Sequence, residues 1–300
     1  MYPNVNANYV VRHARESTAQ AAVILTYRAG IRERDERLQQ MLSGLKDALD
    51  GSDGFFFGCV VDDGSPLEVQ EQLADDCRLL GLDLITLDTQ GKMFSNSRNR
   101  NIGAMMVASD YILFQDLDLV PCVDFYSRVK TEMSLRQLDI DETALLMFGV
   151  VYLTAKGTEL LDTSERVYGE EVLYDAFMRG DSDLIEKSST GTSAVVVGRQ
   201  YFLARGGSSM DFEGWGYEDI ECNLRLCRRT GWFPLPRDYC HEEGSMASQV
   251  KYQGWKSYYR LFGDMTFSKR LFYFHRWHEV EENSEYQQIK ERNRGIFLKK

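Results

Sequence analysis

The sequence lacks the segments that direct a chain into or across a membrane. Its 300 residues hold no run of the roughly 20 apolar residues that a membrane-spanning helix needs. The opening stretch MYPNVNANYVVRHARESTAQ has no apolar core of the kind found in secretory signal peptides. We therefore expect a cytoplasmic protein.

Paired cysteines are missing as well. The six cysteines form no Cys-x-x-Cys pair, and most of them lie in apolar or helical-looking runs. This pattern predicts reduced thiols in a cytosolic protein and argues against a zinc site.

Positive charge is scarce. The chain has 46 acidic residues against 35 lysines and arginines, so its formal net charge is -11. Because affinity for nucleic acid comes mostly from neutralised phosphates, we expect no nucleic-acid partner. With 43% hydrophobic and 27% charged residues, the composition is typical of a soluble globular protein.

The first half of the sequence alternates apolar runs with amphipathic segments. Buried strands are predicted in residues 21–30, 54–65, 82–88 and 110–121. Helices are predicted between them, the last one entered through a basic, polar loop at 91–109. Strands that alternate with helices indicate an α/β fold with a mostly parallel central sheet flanked by helices.

Ligands of such sheets bind beyond the carboxyl ends of the strands. Several polar residues fall at those ends, namely Thr26, Asp62, Asp63, Asp116 and Asp118. The coincidence predicts a binding site more strongly than any one of these residues does.

The second half is less regular. Residues 124–187 are predicted to hold a helix, one apolar strand (ALLMFGVVYLT) and a polar connection. Residues 191–207 predict a strand and a short helix with a glycine stop. Residues 214–231 predict a loop followed by a helix.

The stretch ILFQDLDLVP ends a strand on two carboxylates, Asp116 and Asp118. Carboxylates at a strand end can hold a hard divalent cation through their oxygens. The alternative is a solvated turn, since a lone Asp-x-Asp is common.

The stretch VVDDGS ends another strand on Asp62 and Asp63. Asp, Gly and Ser are turn residues, so a simple turn explains it. The functional interpretation is a carboxylate that accepts a hydrogen bond from a nucleobase.

The stretch GWGYED combines two glycines, an indole and two carboxylates. Glycine lets the backbone approach a ligand closely, and Trp215 offers a flat apolar face of the kind that binds sugars. Glu218 and Asp219 then open a helix, where Asp219 could simply be a cap. The functional alternative makes one carboxylate a general base.

The stretch RDYCHEE places His241 in a polar loop. A histidine there is usually a surface residue. As a further metal ligand beside the Asp pair, a neutral imidazole would suit Mn²⁺ better than Mg²⁺.

Taken in order, these motifs resemble a known family. VILTYRAG, VVDDGS, SNSRNRNIGA and LFQDLDLVP resemble the nucleotide-sugar half of family 2 glycosyltransferases of GT-A fold. GTSAVVVGRQYFLARGG, FEGWGYEDIECNLRLCRRTG and the later histidine resemble the carboxyl-terminal half of the β1,4-galactosyltransferases of family 7, and bacterial chondroitin-polymerase-type enzymes. The resemblance covers roughly residues 20–245.

The resemblance implies roles for individual residues. Donor binding falls to Thr26, Tyr27, Asp62, Asp63, Arg98, Asn101 and Asp116. The Mn²⁺ ligands are Asp118 and His241, with Asp116 beside them and Asp238 as an additional candidate. Asp219 is the catalytic base and Glu218 binds a sugar hydroxyl, while Trp215 and Gly216 form the acceptor platform.

The resemblance also implies a domain organisation. An amino-terminal arm (1–20) precedes a GT-A domain (21–248), which divides into a nucleotide-sugar half (21–122) and an acceptor and catalytic half (123–248). A basic, aromatic helical extension (249–300) follows.

The implied activity is inverting, metal-dependent transfer of a hexose from a UDP-sugar to a hydroxyl of a glycan or lipid-linked glycan, in the synthesis of a bacterial capsule or O-antigen. The hexose could be galactose, N-acetylgalactosamine, glucose or glucuronic acid, and Mg²⁺ could replace Mn²⁺. The competing interpretations are a sugar nucleotidyltransferase and a non-catalytic carbohydrate-binding protein.

Residues 251–278 are rich in aromatic and basic side chains. We expect a helix that packs its aromatic face on the domain. The alternative is a peripheral contact with anionic lipid on the inner face of the plasma membrane.

Overall fold

The computed structural model describes residues 8–13, 19–30, 36–228, 237–238, 253–278 and 284–299. The strands of these residues are β1 (Asn8–His13), β2 (Ala21–Tyr27), β3 (Phe56–Asp62), β4 (Asp83–Asp88), β5 (Tyr111–Asp116), β6 (Leu119–Pro121), β7 (Leu145–Met147), β8 (Gly149–Leu153), β9 (Ile185–Ser189), β10 (Val195–Gly198) and β11 (Phe272–His275). The helices are α1 (Leu38–Asp50), α2 (Leu67–Leu80), α3 (Asn96–Met106), α4 (Phe125–Leu135), α5 (Ala155–Thr163), α6 (Arg166–Arg179), α7 (Arg199–Ala204), α8 (Glu218–Cys227), α9 (Lys256–Ser268) and α10 (Ser284–Phe297).

A seven-stranded sheet forms the centre of the molecule, in the order β1-β4-β3-β2-β5-β10-β7. Its four central strands are parallel, as the alternation of strands and helices predicted. Strands β1 and β10 run antiparallel to their neighbours. The fold class predicted from the sequence is therefore confirmed.

Both faces of the central sheet are covered, which explains why its strands read as continuous apolar runs. Every residue of β2 is buried. Leu25 packs with Leu42 and Leu45 of α1 on one face, and Ile24 packs with Ile102 of α3 on the other. The amphipathic helix α1 thus covers one face of the large sheet, and the less amphipathic α3 covers the other.

A second, four-stranded sheet has the order β6-β11-β8-β9. The apolar run ALLMFGVVYLT, predicted as one strand, divides here into β7 of the large sheet and β8 of the small one. Gly149 lies at the division, and a Cβ added there would lie 2.5 Å from the carbonyl oxygen of Ser189. The close approach of two backbones at this glycine lets the chain pass from one sheet to the other.

The polar connection predicted before residue 187 is instead two helices and a strand. Thr154 caps α5 by accepting a hydrogen bond from the Gly157 N–H, and Glu165 caps α6 in the same way. Gly180 ends α6 with a φ of +68°. These caps are sequence signals for helices that the polar composition concealed.

Residues near both ends of the chain take part in the two sheets. Residues 8–13 form edge strand β1, which pairs with β4. Strand β11 lies between β6 and β8, so residues 272–275 are an internal part of the small sheet.

The aromatic segment packs inward, as the first interpretation of residues 251–278 expected. Trp255, Tyr259 and Phe272 are buried, and so are Tyr273 and Phe274. Among the described helices, none has the length and hydropathy that crossing a bilayer requires.

The cysteines within the described residues are buried free thiols, at positions 59, 77, 122, 222 and 227. Burial raises the pKa of Cys77 to about 12, so this thiol stays protonated at neutral pH. Cys240 lies outside the described residues.

Two helical glycines give opposite predictions for the same substitution. A Cβ at Gly263 in α9 would overlap the carbonyl oxygen of Thr190, whereas nothing lies within 4 Å of a Cβ at Gly295 in α10. We expect Gly263→Ala to lower the free energy of unfolding by about 1–3 kcal/mol through overpacking. Gly295→Ala should raise it by about 0.5–1 kcal/mol through helix propensity. Urea unfolding of both variants checks this, and equal effects would contradict the packing of α9.

Candidate functional site

Polar residues meet where the central parallel strands end. In the sheet register, Thr26 of β2 lies beside Asp116 of β5, and Tyr27 lies beside Asp62 of β3. The side chain of Tyr27 is fully buried in the hydrophobic core. Its role in donor binding stays a prediction.

Arg100 is the cation at the centre of the site. It is 4% exposed, and its Nη2 donates to Asp116 Oδ1 at 3.1 Å. Burial lowers the pKa of Arg100, but Asp116, Glu218 and Asp219 together raise it above the ordinary value. Asp116 thus contacts the guanidinium and the charges of Glu218 and Asp219 also act on it, and the sequence analysis did not select Arg100.

The second oxygen of Asp116 is also paired. Oδ2 accepts a hydrogen bond from Ser193 Oγ at 2.8 Å. Ser193 follows β9 in the polar stretch that leads into β10. Asp116 thus joins the amino-terminal half of the chain to the second half.

Arg98, two residues before Arg100, faces a different carboxylate. Its Nη2 lies 2.7 and 2.8 Å from the two oxygens of Asp63, which also accept hydrogen bonds from Thr89 and from the Ser95 N–H. Because Asp63 is fully buried and its oxygens are already paired, a nucleobase contact would require one of these bonds to be given up. Its role in donor binding stays a prediction.

Asp62, which is fully buried, accepts hydrogen bonds from the backbone and hydroxyl of Ser65. Burial raises the pKa of Asp62 to about 6, against the effect of the Ser65 bonds. Asn101 is fully buried too, and its amide exchanges two hydrogen bonds of 2.8 Å with the Ser208 backbone. This pairing holds α3 against the chain before α8 and leaves the predicted sugar contact of Asn101 without support from its contacts.

A chain of hydrogen bonds links the strand end to Glu218. Thr26 Oγ1 donates to Asn96 Oδ1 at 2.8 Å, and Asn96 Nδ2 donates to Glu218 Oε1 at 3.3 Å. The other oxygen of Glu218 accepts from the Gly216 N–H at 2.8 Å. Two motifs far apart in the sequence, VILTYRAG and GWGYED, are therefore in contact through Asn96.

The two adjacent carboxylates of α8 differ in environment. Glu218 is 4% exposed, while Asp219 is partly exposed and accepts from the Ile220 N–H at 2.8 Å. Burial is the largest cause that raises the pKa of each carboxyl, and Arg100 opposes the rise in both. A carboxylate with a raised pKa is a stronger base toward a hydroxyl than an exposed one with an ordinary pKa.

The loop 213–217 before α8 has a left-handed backbone at three positions. Gly214, Gly216 and Tyr217 have φ values of +70°, +105° and +69°. Trp215, between the glycines, is 48% exposed. The loop thus presents an indole to solvent at the point where the helix with the two carboxylates begins.

Asp118 lies in a cluster of metal-binding side chains. Its Oδ2 is 3.6 Å from His275 Nε2 and 3.3 Å from His278 Nε2. One ligand atom from each of the three side chains lies within 4.8 Å of the others. Ligand atoms about 2.2 Å from one ion are separated by about 3–4.4 Å, so these three residues fit a divalent cation.

Of the other metal ligands predicted from the sequence, the two within the described residues, Asp116 and Asp238, are not part of this cluster. Asp116 is paired with Arg100 and Ser193. Asp238 is exposed and accepts a hydrogen bond from the Gly254 N–H at 3.2 Å. His241 lies outside the described residues. The sequence analysis missed His275 and His278, although their i, i+3 spacing in HRWH was a weak signal.

Tyr152 of β8 connects the cluster with the carboxylates of α8. Its ring centroid lies 4.8 Å from that of His275. Burial raises the pKa of Tyr152, and the charges of Asp118, Asp219 and Asp116 raise it further, in that order. The charges of the two carboxylates of the Asp-x-Asp motif and of Asp219 therefore act on one phenol.

The chain was compared with known proteins at three levels: curated sequences, solved structures and family models. None of the curated proteins matches the chain. Among solved structures, the chain is similar to the crystal structure of S. aureus TarS, at 13% identity and a TM-score of 0.43. That alignment covers 69% of this chain and 33% of the other, so the chain spans about a third of the length of that structure.

The model of the family described as "Glycosyltransferase like family 2" matches residues 46–300. The match includes most of the residues that form the site, the whole small sheet, and the large sheet apart from β1 and β2. Because it covers most of the chain, the protein belongs to the glycosyltransferase-like family 2.

Proposed function

We propose that the protein is an inverting, metal-dependent glycosyltransferase, which moves a hexose from a UDP-sugar to a hydroxyl of a glycan acceptor. The observation that carries the proposal is the contact of Asp116 with Arg100 and the hydrogen-bond chain from Thr26 through Asn96 to Glu218, together with the Asp118 cluster. A transferase needs both a cationic place for a diphosphate and a base for the acceptor hydroxyl. Family membership supports the same reaction.

The donor would lie along the carboxyl ends of β2, β3 and β5. Thr26, Asp62 and Asp63 are at the ends of β2 and β3, where the uridine would bind. Asp118, His275 and His278 would hold Mn²⁺, with Mg²⁺ less suited to the two imidazoles. A bound divalent cation supplies charge that neutralises the departing diphosphate.

Asp219 is the residue that we assign as base. It is more accessible than Glu218, and its raised pKa favours proton uptake. Glu218, held by Asn96 and Gly216, would orient a sugar hydroxyl. The exposed face of Trp215, next to Gly216, would carry the acceptor ring.

The sugar could be galactose, N-acetylgalactosamine, glucose or glucuronic acid, and the product a bacterial capsule or O-antigen. The finer resemblance to chondroitin-polymerase-type enzymes and β1,4-galactosyltransferases remains part of this proposal. A peripheral contact with the inner face of the plasma membrane would involve the exposed Leu261, Met265 and Trp277 of the aromatic segment.

Release of UDP from a panel of UDP-sugars, with Mn²⁺ or EDTA and with or without a glycan acceptor, tests the function. Acceptor-stimulated UDP release that EDTA abolishes is expected. A sugar nucleotidyltransferase would instead make pyrophosphate from UTP and a sugar phosphate. A carbohydrate-binding protein would bind glycan and turn over neither substrate.

Removal of the base gives a sharper prediction. Asp219→Asn should lower kcat for transfer by about 10²–10⁴-fold and leave UDP affinity nearly unchanged, because the base acts on the acceptor and not on the nucleotide. Steady-state transfer rates and UDP titration calorimetry check this. A variant that turns over at a near-normal rate would show that another group is the base.

The metal ligands can be separated by single substitutions. His278→Ala should weaken Mn²⁺ binding by at least about tenfold, since it removes one of three protein ligands. The matched variant His241→Ala tests the ligand that the sequence suggested. Mn²⁺ affinity measured by electron paramagnetic resonance distinguishes them, and a loss confined to the His241 variant would exclude the Asp118, His275 and His278 assignment.

Glu218→Gln should impair transfer and remove a pH-dependent cost to folding, set against the one hydrogen bond that its amide cannot accept from Asn96 or Gly216. Burial raises the pKa of Glu218 in the folded state to about 7 from an ordinary 4.5, so ionising this carboxyl at higher pH costs folding free energy. The glutamine avoids this cost, which we put at roughly 1–3 kcal/mol above pH 7. The gain should shrink as pH falls through 7 and vanish below 4.5. Urea unfolding at several pH values checks it, and a gain independent of pH would contradict the raised pKa.

A further inference from the structure

Helix α10, the last described element, packs against loop 213–217. Asn293 is fully buried, and its Nδ2 donates to the carbonyl oxygens of Glu213 at 3.0 Å and Trp215 at 3.1 Å. Arg292 donates to the Glu213 carbonyl at 3.1 Å and to its carboxylate at 3.2 Å. Two consecutive residues of the helix therefore hold the backbone on both sides of Gly214.

The apolar side chains of the same helix continue the contact. A Cβ at Gly214 would lie 2.8 Å from Ile289 Cγ2. The ring of Phe297, which is buried, lies 5.5 Å from the ring of Tyr217. Ile289, Asn293 and Phe297 are spaced by four residues each, so one face of α10 follows the whole loop.

The loop needs such support because its backbone is strained. Tyr217, a bulky residue with a φ of +69°, occupies a left-handed conformation that costs on the order of 1 kcal/mol or more. Conformations of this kind persist only where the surroundings fix them. The Gly214 N–H donates to the Phe94 carbonyl and the Gly216 N–H donates to Glu218. The contacts with α10 fix the loop further.

The position of this loop decides what the candidate site can bind. It carries the half-exposed indole of Trp215 and continues directly into Glu218 and Asp219. The ammonium of Lys290 lies 5.8 Å from the centroid of the Trp215 ring, so α10 also borders the exposed indole. The proposed donor side is built from β2, β3 and α3. The contacts of α10 described above are with loop 213–217 and not with these elements.

We propose that α10 is a positioning element for the glycan acceptor, and that Asn293 is its positioning residue. By holding the carbonyls of Glu213 and Trp215, Asn293 sets the direction of the indole and the start of α8. It touches neither substrate. The inference rests on the proposed function, because it takes Trp215 as the acceptor platform.

The test compares Asn293→Ala with Gln288→Ala, an exposed position on the same helix. Loss of Asn293 should raise the KM for the acceptor roughly tenfold and lower kcat, because the Glu213 and Trp215 carbonyls lose the hydrogen bonds that Asn293 donates, and Arg292 still reaches the Glu213 carbonyl. The KM for the UDP-sugar and the affinity for UDP should change less than about twofold. Gln288→Ala should behave as the wild type.

Arg292→Gln is a second variant, in an exposed side chain whose loss does not threaten folding. It removes the contacts with Glu213 and should raise the acceptor KM a few-fold. An unchanged acceptor KM in both variants would overturn the proposal. Equal losses of donor and acceptor binding together with a lowered melting temperature would also overturn it, because they would show that Asn293 and Arg292 only stabilise the fold.

Failure of the proposed function would be seen separately, as a wild-type protein that transfers no sugar. In that case amide hydrogen exchange of loop 213–217 still tests the positioning role. Faster exchange in Asn293→Ala than in Gln288→Ala supports the proposal, and equal exchange in the two variants refutes it.

Discussion

The buried guanidinium of Arg100 is the interaction on which the candidate site depends. Carboxylates brought together out of water lose hydration and repel one another, which is costly unless a cation compensates them. Arg100 lies against Asp116 of β5 and near Glu218 and Asp219 of α8. These groups come from both halves of the chain. The attraction between Arg100 and the carboxylates therefore also keeps the two halves packed against each other.

The central part of the fold was predictable because its signals are local. Strands β2 to β5 are continuous apolar runs that end in polar turns, and a run of this kind has few alternatives to a buried strand. Helices α5 and α6 were missed since their residues are mostly polar, although Thr154 and Gly180 mark their ends. The division of ALLMFGVVYLT at Gly149 could not be predicted, because it depends on a tertiary contact with Ser189.

The site was predictable in its residue types and less so in its pairings. Arg98 and Arg100 are separated by about 200° around a helix, so one faces Asp63 and the other Asp116. Unless the start of α3 is known, the sequence does not tell which of the two arginines faces the carboxylates of α8. The approach of His275 and His278 to Asp118 depends on the pairing of β6 with β11, which no local spacing encodes.

The place of β11 within the small sheet has a consequence for biosynthesis. Strands β6 and β8 are made early, yet the strand that pairs with both of them comes more than a hundred residues after β8. Until the ribosome has released residues 272–275, these two edges have no partner and are open to wrong pairing. The imidazoles that face Asp118 arrive with that same strand and the residues just after it. A nascent chain that has completed residues 21–122 therefore still lacks the two imidazoles that lie beside Asp118, and this cluster forms only after β11 has inserted.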